Sequence, residues 1–115
     1  VNLEFRAGDG AASPHLLLAV LVQAGLAGLR ENLAAPAPLD RDPADLSDAD
    51  QKRLGIAALP SSLEDALAAA EADDTVRGWF PEELWQAYFS LKRSELEFVA
   101  DMTLDEKIAA YRNVY

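Results

Sequence analysis

The opening stretch Val1–Pro14, VNLEFRAGDGAASP, decides how the rest of the chain is read, because its apolar residues do not recur at helical spacing. Val1, Leu3 and Phe5 alternate with Asn2, Glu4 and Arg6, the period of two of a strand that buries one face and exposes the other. This predicts a β-strand over residues 1–6 with Glu4 and Arg6 side by side on its polar face. A single strand leaves its backbone donors and acceptors unpaired. It needs neighbours, supplied either by a dimer or by sheet strands outside this sequence. Because the chain begins at Val1, without methionine and already inside the pattern, it is expected to be a piece of something longer.

After a glycine-rich turn over Ala7–Ala12, Ser13-Pro14 reads as an N-cap followed by proline at the first helical position, where its missing N–H costs nothing. The helix over residues 14–32 is apolar nearly all round and is expected to be buried on most sides. Gly25 and Gly28 within it predict close approach of a neighbouring element. Residues 33–60 form a connection rich in proline and aspartate, with a short helix over Asp48–Leu54.

Residues 61–115 read as further helices. Ser61 and Glu64 form a capping-box pair ahead of the stripe Leu63, Ala66, Leu67, Ala70. Pro81 starts a longer helix in which Leu84, Trp85, Tyr88, Leu91, Glu95, Phe98 and Val99 share a side, with Arg93 and Glu97 paired on the outside. Thr103 and Glu106 repeat the capping box for a last helix carrying Leu104, Ile108, Tyr111 and Tyr115 on one side. The expected architecture is mainly α: one N-terminal β-strand followed by four to five helices, in a single domain over 1–115.

The chain has 115 residues, half of them hydrophobic, and a mean hydropathy of -0.05, which places it among globular chains with one core. Its formal charge of -10 repels a phosphate backbone and anionic headgroups alike, so neither nucleic acid nor a membrane surface is an expected partner. The absence of cysteine excludes disulfides and thiolate metal sites. The longest apolar run, Leu16–Leu29, is too short to span a bilayer and lacks the basic leader of a signal peptide, so a cytoplasmic location is expected.

Most candidate sites reduce to simpler roles. Gly8-Asp9-Gly10-Ala11-Ala12-Ser13 approximates a dinucleotide fingerprint, but serine holds the third glycine position and no returning strand follows the helix. The aspartates from Asp40 begin like a calcium loop, yet Asp45 stands where glycine is required and Gln51 where a bidentate glutamate is required. His15 has no ligand-spaced companion, and Ser13 has no base beside it. The aromatic group Trp79, Phe80, Trp85, Tyr88 and Phe89 reads as packing. What remains is Glu4 and Arg6.

Leu3-Glu4-Phe5-Arg6, Ala11-Ala12-Ser13-Pro14-His15-Leu16 and Ala24-Gly25-Leu26-Ala27-Gly28-Leu29 together resemble the C-terminal signature of the class I-like glutamine synthetase family. There a strand bearing E-x-R leads through a loop into an N-P-Y/H-L helix that ends in A-G-L-D-G-I. Two later segments are also similar: Leu59–Leu67 to the family's L-P-x-S-L-x-E-A-L, and Ala87–Arg93 to its A-Y-x-x-x-K-R. The resemblance implies a fragment of an α+β catalytic domain. It implies an ATP-dependent ligase that phosphorylates the γ-carboxylate of glutamate and lets ammonia or another amine displace the phosphate, using Mg²⁺ or Mn²⁺. On this resemblance Glu4 corresponds to a metal ligand, and Arg6 to a substrate-binding and catalytic arginine facing glutamate and the transferring phosphoryl group. The implied partners are the remainder of the catalytic domain and further copies in a homo-oligomer.

Four departures accompany the resemblance. Ala7-Gly8 replaces the usual F-P, Ser13 the usual Asn, and Ala27 the aspartate of A-G-L-D-G; Ala44, ahead of Asp45-Leu46, stands where adenylylated relatives carry tyrosine. They point to a glutamine synthetase-like paralogue whose acceptor is ammonia or another amine. The isolated fragment is expected to be inactive. The rival reading is a non-catalytic helical interaction or assembly module derived from the same family.

Overall fold

The computed structural model of the chain describes residues 4–112 and residue 114. Among these residues the regular structure is entirely helical: α1 Pro14–Arg30, a 3₁₀ turn Pro43–Asp45, α2 Asp48–Arg53, α3 Leu63–Ala72, α4 Asp74–Arg77, α5 Glu82–Val99 and α6 Leu104–Tyr111. The expected strand is not found. Glu4 and Phe5 have no regular structure and Arg6 enters a turn, while Val1–Leu3 lie outside the described residues. Extended backbone becomes a strand only when another strand satisfies its N–H and C=O groups, and no described segment does so.

Local signals set most helix ends. Proline occupies the first turn of α1 and Ser13 stands at its N-cap, although its side chain makes no capping bond. The helix stops where Asn32 turns left-handed (φ 52°), with Leu33 N–H donating to Gly28 C=O at 2.9 Å and Asn32 N–H to Leu29 C=O at 3.3 Å. This is a Schellman closure. Gly55 (φ 70°) repeats it after α2, with Ile56 N–H donating to Gln51 C=O at 2.9 Å. Ser47 caps α2, and the Gln51 side chain donates to the Pro43 carbonyl at 2.9 Å, tying the proline-rich connection to that helix.

The cap of α3 sits one residue later than expected: Ser62, not Ser61, accepts the Asp65 N–H at 3.0 Å. Either serine supplies a suitable hydroxyl, and the backbone entering the helix selects which one meets the free N–H. The Thr103–Glu106 capping box forms as expected. The separate turn α4 was not anticipated, although Asp73 accepts from Thr75 N–H and Val76 N–H and Gly78 closes it.

Packing centres on α3 and α5, where Leu67 and Phe89 are the buried hydrophobic residues among those described. The expected stripe of α3 faces inward, with Leu63, Ala66 and Ala70 partly covered beside Leu67. On α5 the inward register is shifted: Phe89 is buried and Trp85 partly covered, whereas Leu91 and Phe98 are 57% and 62% exposed. Arg93 pairs with Glu71 of α3 rather than with Glu97 on its own helix. Trp85 Nε1 donates to the Arg77 carbonyl at 2.6 Å, holding α4 against α5.

The expectation that α1 is buried on most sides is not met. It contains no buried residue, and Leu18, Val22 and Leu29 are 63%, 53% and 79% exposed. Nothing lies within 4 Å of a Cβ built on Gly25 or Gly28, so the expected close neighbour is not present. The accessible surface is 9612 Å² and the radius of gyration 17.0 Å. A compact 12.4 kDa monomer exposes about 6,100 Å², with a radius near about 13 Å. The chain is an open layer of helices.

Two local predictions follow from the caps. Gly55→Ala places a Cβ in the left-handed region, at a cost of about 1 kcal/mol, and is expected to reduce amide protection at Ile56, measured by hydrogen exchange. Glu106 is held below the usual carboxylate range by the Thr103 N–H and then by its hydroxyl, both 2.8 Å from its carboxylate. A lowered folded pKa means that its contribution is present above the ordinary glutamate value of about 4.3 and lost as pH falls through the lower folded one. The helical shifts of α6 should therefore weaken on acidification in the natural chain; Glu106→Gln should remove that pH dependence, and Thr103→Ala, which keeps the N–H, should only reduce it.

Candidate functional site

Glu4 and Arg6 are both described, and they meet: Arg6 Nε lies 3.0 Å from Glu4 Oε1, with the side chains 87% and 68% exposed. Without a strand, the two side chains still converge. Phe5 between them reaches in another direction, its ring edge 3.7 Å from a Cβ built on Gly8, which also lies 3.1 Å from a Leu17 methyl. The loop is thus pressed onto α1 at Gly8. Asp9 organises the turn that follows, its carboxylate accepting from Ala11 N–H at 2.9 Å while its carbonyl accepts from Ala12 N–H at 3.1 Å. In this chain the glycine-rich segment Gly8–Ser13 is a turn into α1.

An exposed ion pair of this kind contributes little to stability, roughly 0–1 kcal/mol. Its chemical content is a carboxylate suited to a hard cation and a guanidinium suited to phosphoryl or carboxylate oxygens. Among the described residues no group of three or more His, Cys, Asp or Glu side chains is placed to hold a metal. One carboxylate is a fitting ligand for a hard cation but is not by itself a site. His15 is exposed at the start of α1; in the connection Asp42 caps the 3₁₀ turn by accepting from Ala44 N–H, and the Asp50 carboxylate accepts from Ser47 and Arg53.

A cavity of about 360 Å³ lies between α1, α3 and α5, where Leu17, Val20, Leu67, Val76, Trp85 and Phe89 face it. Its lining includes neither Glu4 nor Arg6 and is almost wholly apolar, so it is an incompletely filled core rather than a place for proton or phosphoryl chemistry. A second depression of about 280 Å³ carries Arg77, Arg93, Glu71 and Glu82. Its charges are already used in pairs, Arg93 with Glu71 and Arg77 with Glu82 at 3.9 Å. The sequence reading missed both pairs because their partners are on different helices.

A helical layer with exposed apolar area and an exposed Glu4–Arg6 ion pair fits a fragment of a larger domain. Residues 1–111 match the family model for the glutamine synthetase catalytic domain. The chain belongs to that family and corresponds to the C-terminal region of the domain. It is 30% identical over 110 residues to a glutamine synthetase of Methanocaldococcus jannaschii, an alignment covering 96% of this chain and 24% of that protein. It is 34% identical over 114 residues to a gamma-glutamylpolyamine synthetase of Streptomyces coelicolor, covering 99% of this chain and 24% of that protein. A glutamine synthetase of Sulfolobus acidocaldarius is 33% identical over 99 residues, or 85% of this chain and 21% of that protein. The chain therefore spans about a quarter of the length of the curated relatives it matches.

If the Asp9 turn sets the path from Arg6 to α1, Asp9→Ala should expose the Ala11 amide. Losing one such bond corresponds to about tenfold faster hydrogen exchange, with Asp9→Asn retaining most of the protection.

Proposed function

We propose that this chain works as the C-terminal part of an ATP-dependent glutamate-ammonia or glutamate-amine ligase. The observation that carries the reading is the convergence of Glu4 and Arg6, 3.0 Å apart, within a family match that begins at residue 1. In the reaction so assigned, the γ-phosphoryl group of ATP passes to the γ-carboxylate of glutamate with release of ADP. The amine nitrogen then attacks the acyl carbon of γ-glutamyl phosphate, phosphate leaves, and the nitrogen gives up a proton.

In this reading Glu4 contributes one carboxylate to a Mg²⁺ or Mn²⁺ ion, whose chemistry is to neutralise the phosphate oxygens. Arg6 binds substrate: its planar guanidinium donates to the glutamate carboxylate and to the phosphoryl oxygens as charge builds on them. The other ligands, the nucleotide pocket and a cytoplasmic, homo-oligomeric context belong to the remainder of the catalytic domain. Relatives named for glutamine and for gamma-glutamylpolyamine synthesis both match, so the acceptor is ammonia or a larger amine. Among the described residues no helix is long and apolar enough to cross a membrane.

The test is a chimera in which this chain replaces the matched quarter of the Streptomyces coelicolor relative, assayed for glutamate- and amine-dependent ADP release. Glu4→Ala and Arg6→Ala should each reduce turnover by at least about a hundredfold, the scale of losing a transition-state donor, while the chimera stays folded. Near-normal turnover in both variants would refute the site and leave the non-catalytic assembly module as the reading. The 115-residue chain alone should show no tight, stoichiometric binding of Mn²⁺ and ATP by titration calorimetry.

A further inference from the structure

We draw no further inference here: the strongest candidate, the almost wholly apolar cavity of about 360 Å³ between α1, α3 and α5, carries nothing because among the described residues no buried polar side chain is left without a partner to point to a ligand, and nothing in the structure shows what covers it.

Discussion

The contact between α3 and α5 is the constraint on which the rest depends. Leu67 and Phe89 are the side chains removed from water there, each worth about 1.5–3 kcal/mol of burial. The neighbouring polar contacts reinforce the same junction: Arg93 of α5 reaches Glu71 of α3, and the Trp85 indole binds the carbonyl at the end of α4. Helix α1 meets this junction across a cavity of about 360 Å³ and does not close over it. Among the described residues the interior on the α1 side therefore stays incompletely filled.

That openness bears on the chemistry. A carboxylate and a guanidinium exposed to water attract each other weakly and move freely, which suits neither metal binding nor stabilisation of a charged transition state. The metal and phosphoryl roles proposed for the two groups call for a dry setting that fixes them in place. The loop that carries them is anchored on α1 through Gly8 and Leu17.

Much of the secondary structure was legible because its causes are local. Pro14 at the start of α1 and the Thr103–Glu106 box act within a few residues of the groups they serve. The same locality set the limits. Adjacent Ser61 and Ser62 offered equal hydroxyls, and the backbone approaching α3 chose the second. The alternation in Val1–Arg6 records what the segment is suited to do, but a strand exists only with a partner strand, and Glu4–Arg6 have none among the described residues. The apolar character of α1 was equally plain, yet it states how much surface must be covered and not by what.

By itself, then, the sequence determined most of the helical segments, the acidic and cysteine-free character of the chain, and the motifs that tie it to its family. These rest on near-neighbour hydrogen bonds and composition, which need no fold to operate. Tertiary structure decided which face of α5 turns inward, that Arg93 finds Glu71 rather than Glu97, and that Leu18, Val22 and Leu29 of α1 stay in water. Such choices depend on the relative placement of residues far apart in the chain, where several pairings are chemically equivalent and only packing geometry separates them.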